Sequence, residues 1–114
     1  MAAVESNRVV VFKGKTHGDF IYEDEICVAF EVEGKQAPVH FVVVPKKIVP
    51  SLCDATDEDE ILLGHLLLVS RRVAKTLDLT SGFRVVMDEV RTAEPGAQFH
   101  VHVFGGRQML WPFG

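Results

Sequence analysis

The segment QFHVHVFGG, residues 98–106, decides how this chain folds and which chemistry it can carry. Side chains alternate across a β-strand, so Phe99, Val101 and Val103 are expected to form one buried face. The opposite face then carries Gln98, His100, His102 and Phe104. Neighbours on one face lie about 7 Å apart, so the two imidazoles can flank a single ligand group.

A His-x-His pair on a strand has three interpretations that the spacing alone leaves open. The two rings can be structural, they can hold a metal ion, or they can act in catalysis. A metal site would recruit His40 as a third nitrogen ligand, as in a zinc hydrolase with one open position. No Asp-x-His or His-Glu-x-x-His spacing supports that interpretation, so we expect neither a metal nor another cofactor.

Outward from this segment, short apolar runs alternate with turn residues, which is typical of strands joined by tight turns. Residues 20–22 and 26–32 flank an acidic turn and predict a hairpin. The polar segment 13–17, which includes His17, is predicted to be a turn or short loop. Further strands are predicted over residues 9–12, 40–44, 83–87 and 99–104.

One long helix is predicted over residues 57–77. Thr56 and Asp59 form a capping-box pattern at its start, and apolar residues recur at spacings of three and four. This stripe consists of Leu62, Leu66, Val69, Val73 and Leu77. A glycine inside a helix, such as Gly64, lowers the stability of the helix by about 1 kcal/mol relative to alanine. We expect a close contact between helix and sheet to explain why a glycine is present there. Strands with one long helix predict an α+β domain with an antiparallel sheet.

Size and charge limit the class of protein. A chain of 114 residues is about the size of one domain, and residues 1–8 are expected to be a flexible tail. Twelve basic and sixteen acidic residues give a net charge of −4, which argues against a nucleic-acid coat or a membrane-surface protein. Cys27 and Cys53 are interpreted as reduced thiols, and no signal peptide is recognised. We therefore expect a cytoplasmic protein, with the nucleus also open, whose apolar tail 107–114 packs on a second subunit.

Longer motifs occur in an unbroken order from Phe20 to Gly114. They are Tyr22-Glu23-Asp24-Glu25, Gln36-Ala37-Pro38-Val39-His40-Phe41, Pro45-Lys46-Lys47, Leu63-Gly64-His65-Leu66, Gly82-Phe83-Arg84-Val85-Val86, the run from His100 to Met109, and Trp111-Pro112-Phe113-Gly114. Together they resemble the histidine triad (HIT) superfamily, specifically its nucleotide-binding, phosphoramidase-like branch.

The resemblance implies a single HIT domain over residues 1–114, with about five antiparallel strands, one long helix and a sheet that continues across a homodimer. It also implies an enzyme that hydrolyses nucleoside 5′-phosphoramidates or related conjugates of a purine, AMP-like nucleotide. His100 would attack the α-phosphorus and form a covalent nucleotidyl intermediate. His102 would donate to the phosphoryl oxygens. His40 would support the site from behind, or be a satisfied histidine at the end of a strand.

Several positions depart from the family's pattern. Gln98 replaces the first triad histidine, and an amide can orient a neighbour but cannot titrate. Val32 replaces an aspartate that binds the ribose hydroxyls, and Asp88 replaces an asparagine that contacts the nucleotide. Phe30 matches an aromatic residue of the base pocket or belongs to the core, and the loop 90–97 lacks the family's Gly-Gln-Ser segment. The alternative function is therefore a catalytically weakened member that acts as a nucleotide-binding or protein-interaction module.

Overall fold

The computed structural model describes residues 10–12, 15–17, 19–32, 38–79, 81–87 and 99–106. One helix, α1 (Glu60–Thr76), follows the 3₁₀ turns Leu52–Asp54 and Asp57–Asp59. The strands are β1 (Val10–Phe12), β2 (Lys15–His17), β3 (Tyr22–Glu23), β4 (Cys27–Glu31), β5 (Val39–Pro45), β6 (Phe83–Val86) and β7 (Val101–Gly105). The expectations for Asp88, Gln98, the loop 90–97 and the tails 1–8 and 107–114 lie outside these residues.

Five strands form one antiparallel sheet in the order β3-β4-β5-β7-β6. The predicted hairpin is β3–β4, with Glu23 opposite Val28. Helix α1 packs on one face of this sheet through Leu66, Val69 and Val73. The predicted α+β fold, a five-stranded antiparallel sheet with one long helix, is confirmed.

Strands β1 and β2 form a separate two-stranded ribbon, with Val11 opposite Thr16. The prediction of a turn or loop over residues 13–17 is therefore wrong for Lys15–His17, and His17 lies in a strand rather than a loop. Hairpin pairing is made by backbone groups across a short connection. A polar segment can therefore complete a ribbon without an apolar face.

Helix α1 begins at Glu60 rather than at residue 57, because Asp57–Asp59 take a 3₁₀ turn. The predicted capping box of Thr56 and Asp59 is present, and in it the backbone N–H of Thr56 donates to the Asp59 carboxylate at 2.9 Å. The apolar stripe faces the sheet as predicted, with its middle buried and its two ends half-buried. No helix in the described part of the chain combines the length and the apolar character that crossing a membrane requires.

Gly64 does not contact the sheet. It is exposed, and a Cβ added there would meet no heavy atom within 4 Å. The expected close contact between helix and sheet is therefore wrong. Gly64 lies on the outer side of α1 beside Ile61 and Leu68, whose side chains are also exposed.

The sheet has an apolar cluster on each face. The face toward α1 carries Cys27, Ala29, Phe41, Val43, Val101 and Val103. The other face carries Val28, Phe30, Val42 and Val44, with Phe20 and Val32 packed against them. A one-residue slip of β7 would turn Val101 and Val103 out of the core, at roughly 1.5–3 kcal/mol for each side chain. The two clusters therefore fix which residues of β7 face away from the helix.

Candidate active site

Three histidines come together on the sheet face that points away from α1. His40 lies in β5, His102 lies in the neighbouring strand β7, and His100 precedes β7 by one residue. The antiparallel register places Val42 directly opposite His102 and His40 opposite Phe104. The predicted alternation holds in β7, because Val101 and Val103 are buried while His102 and Phe104 are half-buried.

The imidazoles form a chain in which His102 is the middle member. Its Nδ1 lies 3.0 Å from His40 Nε2, and its Nε2 lies 3.0 Å from His100 Nε2. Both separations are hydrogen-bond distances. The rings of His100 and His102 meet edge to face, at an interplanar angle of 79°. The side-by-side placement expected for His100 and His102 is therefore present, and His40 extends it.

Each of the two contacts between histidine rings contains one hydrogen atom, so the tautomer of one ring determines the tautomer of its neighbour. When His100 Nε2 accepts, His102 Nε2 donates, and a neutral His102 then accepts at Nδ1 from the Nε2–H of His40. In this arrangement the acceptor end of the chain is His100, the half-buried residue with the nitrogen lone pair that a nucleophile needs.

Phe104 packs against two of the three histidines. Its ring is stacked on His40 at a centroid distance of 4.3 Å and on His102 at 5.9 Å. Aromatic pairs of this kind contribute about 0.5–1.5 kcal/mol beyond the area that they bury. Phe104 therefore helps to fix the ring planes of His40 and His102. Sequence reasoning placed it on the histidine face but gave it no role.

A tight backbone segment follows the histidine strand. Gly106 has a φ of 91°, which L side chains rarely adopt, and an added Cβ would lie 2.9 Å from the Cβ of Pro38. Only glycine meets both conditions without strain. Gly106 therefore lets the chain turn closely past the start of β5, the strand that carries His40.

Val32 lies beside the histidines. Its backbone N–H donates to the carbonyl of His40 at 3.2 Å, and its half-buried side chain packs with the apolar cluster on the same face. Phe30 lies two residues earlier and is only 1% exposed, beneath Phe20 at a centroid distance of 6.2 Å. This packing favours the core interpretation of Phe30, and its contact with a base stays a prediction.

Arg84 is a residue that sequence reasoning missed. It lies in β6 opposite Phe104, while Val86 lies opposite His102. Directly opposed residues of an antiparallel pair share a face, so Arg84, a half-buried residue, lies on the histidine side of the sheet. The alternation of the FRVV strand could have revealed it, since Val85 faces the core.

The three imidazoles are poorly arranged to hold a single metal ion. His102 faces His40 with Nδ1 and His100 with Nε2. These two nitrogens lie on different sides of one ring, so no ion can meet all three residues unless the rings rearrange. The zinc interpretation that recruited His40 requires such a rearrangement.

Comparison with known proteins bears on these observations. Residues 13–109 match the model of the HIT domain. This chain belongs to the HIT family. An uncharacterized HIT-like protein of Synechococcus elongatus is 40% identical over 108 residues, which covers 91% of this HIT protein and 92% of the relative.

Two solved structures are also similar to this HIT protein. A HIT family hydrolase from Legionella pneumophila Philadelphia 1 is 33% identical, with a TM-score of 0.75, over 83% of this chain and 87% of the other. A histidine triad protein from Clostridium difficile is 30% identical, with a TM-score of 0.71, over 80% and 81%. The resemblance recognised in the sequence is confirmed at the level of the superfamily and its fold.

Proposed function

We propose that this HIT protein hydrolyses nucleoside 5′-phosphoramidates or related nucleotidyl conjugates, with His100 as the nucleophile. The proposal depends on the chain from His40 through His102 to His100. In this row of imidazoles, the half-buried His100 offers an acceptor nitrogen, and His102 beside it offers a nitrogen that can donate a hydrogen bond. These are the two groups that attack at phosphorus requires.

The reaction has two displacements at the α-phosphorus. His100 Nε2 forms a bond to phosphorus while the bond to the leaving amine breaks, and the amine takes up one proton from solvent. As His100 turns to the substrate, the N–H of His102 is released to the phosphoryl oxygens. Water then attacks phosphorus and breaks the bond to His100, returning one proton and releasing the nucleotide. Gln98 cannot carry the amine's proton because an amide does not titrate, so we expect that step to be slow.

The residues around the histidines lead us to expect that the proposed purine, AMP-like nucleotide is held loosely. Val32 gives the end of β4 an apolar side chain beside His40 instead of a carboxylate. The ribose hydroxyls lose a partner there, which weakens recognition by roughly 1–3 kcal/mol. Arg84, on the same face, supplies a positive charge that suits a phosphate group. Asp88 is proposed to lie near the nucleotide and to oppose its negative charge.

The homodimer that the resemblance implies is part of this proposal. The outer side of α1 exposes Ile61 by 81% and Leu68 by 48%, with Gly64 between them. Two helices can approach closely at a glycine. Strand β6 is at one end of the described five-stranded sheet and is flanked by exposed apolar side chains. An edge strand of this kind is a template for pairing with another chain.

A weakened HIT protein that binds a nucleotide without turnover is the second candidate. The observation that favours it is the apolar Val32 beside His40, together with Gln98 at the first triad position. Val32 affects how a ligand is placed and Gln98 affects proton transfer, whereas His100 and His102 match the family's pattern. Under this candidate the chain binds AMP but releases none from a phosphoramidate.

The deciding experiment incubates the full chain with adenosine 5′-phosphoramidate and measures the AMP released. We expect turnover in the wild type, its loss in His100→Asn, and its retention in His17→Asn, a matched substitution in β2. Activity that persists in His100→Asn would contradict the assignment of the nucleophile. AMP binding by calorimetry without turnover in the wild type would favour the second candidate.

A further inference from the structure

Three potential metal ligands meet on the α1 side of the sheet, away from the three histidines. Asp24 follows β3, Cys27 begins β4, and His65 lies in α1. One ligand atom from each lies within 4.8 Å of the other two. The Asp24 Oδ2 and His65 Nε2 atoms are 2.7 Å apart. The group joins a turn of the sheet to the first half of the helix.

The carboxylate of Asp24 is held in one orientation. Its Oδ1 accepts from the backbone N–H groups of Ile26 and Cys27, both at 2.8 Å. Its Oδ2 accepts from the hydroxyl of Tyr22 at 2.8 Å and faces His65. Burial acts to raise the pKa of Asp24, but hydrogen bonds from His65 and these N–H groups hold it well below its usual range. Asp24 is therefore a fixed anion that offers Oδ2 toward the other two residues.

Cys27 supplies a sulfur ligand from the core. Its side chain is 0% exposed, and burial raises the pKa of its thiol to about 12. The thiol is therefore protonated at neutral pH. Metals bind the thiolate and the lone pair of an imidazole nitrogen. An ion bound here would therefore displace the thiol proton to solvent and shift the Nε2 proton of His65 to Nδ1, and its affinity would rise with pH. The side chains of His65 and Asp24 are 19% and 25% exposed, which leaves an ion a path from solvent.

We propose that Asp24, Cys27 and His65 form a binding site for one divalent ion of the zinc class. A carboxylate oxygen, an imidazole nitrogen and a thiolate sulfur match the ligand types of zinc, with water in the fourth position. The two anionic ligands balance the charge of the ion. Tetrahedral bonds of about 2.0–2.3 Å separate ligand atoms by roughly 3.3–3.7 Å, so Asp24 and His65 must move apart by less than about 1 Å. The ion would replace their hydrogen bond as the link between the β3–β4 turn and α1.

Cobalt titration of the full chain, after treatment with a chelator, tests this site. A cysteine ligand gives a thiolate-to-cobalt charge-transfer band in the near ultraviolet, and we expect that band to saturate at one equivalent. Cys27→Ser should abolish it, and His65→Asn should weaken cobalt binding roughly 100-fold, since even the partners of ligands contribute 10–100-fold. Cys53→Ser, which changes the exposed cysteine, should keep the band.

A second measurement guards against misfolded variants. Zinc should raise the melting temperature of the wild type and of Cys53→Ser, but not that of a folded His65→Asn protein. No thiolate band with excess cobalt would overturn the proposal, as would a band that survives in Cys27→Ser. Cobalt binding that disappears in His100→Asn instead would place the ion at the three histidines and would also overturn it.

Discussion

The Nε2 atoms of His100 and His102 lie 3.0 Å apart. Two imidazolium ions at that distance would repel each other by about 5 kcal/mol at an effective dielectric constant of 20. A hydrogen bond between these two atoms needs a lone pair on one of them, so at least one of the two rings is neutral in this arrangement, and the hydrogen between them is shared by the pair. A nucleotide phosphate that reaches this pair meets a lone pair and a donor side by side, which is the arrangement that the proposed reaction uses.

His102→Ala should lower kcat for phosphoramidate hydrolysis about 10²–10³-fold, because it removes a donor aimed at the phosphoryl oxygens. KM should change little, since the contact strengthens as charge develops. Steady-state rates of AMP release from wild type, His102→Ala and the matched His17→Ala, which changes a histidine of β2, provide the measurement. A His102→Ala enzyme with wild-type kcat would remove His102 from the mechanism.

Phe104→Leu should lower kcat/KM by up to about tenfold, because the stacking of Phe104 on His40 and His102 contributes about 0.5–1.5 kcal/mol. Phe104→Tyr keeps the ring and should stay near the wild type. Phe83→Leu, which changes an exposed phenylalanine in the neighbouring strand, serves as the control. Equal losses in Phe104→Leu and Phe104→Tyr would show that stacking is not the cause.

Val32→Asp should tighten AMP binding by roughly 1–3 kcal/mol, because it restores a carboxylate acceptor next to His40. Isothermal titration calorimetry measures the change in Kd, and Val32→Thr, which has similar volume and no charge, is the control. Unchanged affinity in a folded Val32→Asp protein would mean that this end of β4 does not contact the ribose.

Ile61→Glu should convert the proposed dimer into a folded monomer, because a charge would be buried where two apolar helix faces meet. Light scattering with size-exclusion chromatography gives the mass. Ile48→Glu is the matched control, since Ile48 is another exposed isoleucine, 47% exposed, outside α1. A wild-type protein that is already monomeric at high concentration would contradict the dimer.

Asp24→Asn should lower the free energy of unfolding by about 1–3 kcal/mol at pH 7, because Asp24 accepts hydrogen bonds from Tyr22, His65 and two backbone N–H groups. The pKa of Asp24 is lowered in the folded state. Its contribution is therefore complete above the unfolded pKa of about 3.9 and is lost as pH falls toward the folded value.

Urea unfolding of wild type and Asp24→Asn between pH 7 and pH 2 checks this dependence. The difference between the two proteins should shrink as the solution becomes acidic. Asp19→Asn, at an exposed position, should leave the free energy of unfolding almost unchanged. A difference between wild type and Asp24→Asn that stays constant with pH would exclude the carboxylate as the source.

The alternation of β7 and the stripe of α1 could be predicted because burial imposes a simple period on each. Val101 and Val103 face the core and His102 faces away from it, as their spacing indicates. The strand at Lys15–His17 could not be predicted from apolar residues, because backbone pairing makes it. Gly64 follows Leu62 of the buried stripe by two residues, a step that carries it to the other side of the helix, so its exposure also agrees with the helical period.

The contacts of the candidate site were less predictable than its strand. The approach of His40 to His102 depends on the register of β5 against β7, which distant core side chains set. The link between Asp24 and His65 likewise joins residues that are 41 positions apart in the sequence. Such pairings are properties of the packed sheet, and no local pattern in the sequence contains them.

The most direct test of the central claim is a rapid base-quenched reaction of the full chain with the 4-nitrophenyl ester of AMP, a nucleotidyl conjugate whose leaving group needs no proton, followed by mass spectrometry of the peptides at high pH, where a phosphorus–nitrogen bond survives. The account predicts a nucleotidyl group on His100 within the first turnover, absent from His100→Asn and decaying as AMP appears. Rapid AMP release with no adduct on any histidine, or an adduct that forms equally in His100→Asn, would contradict it.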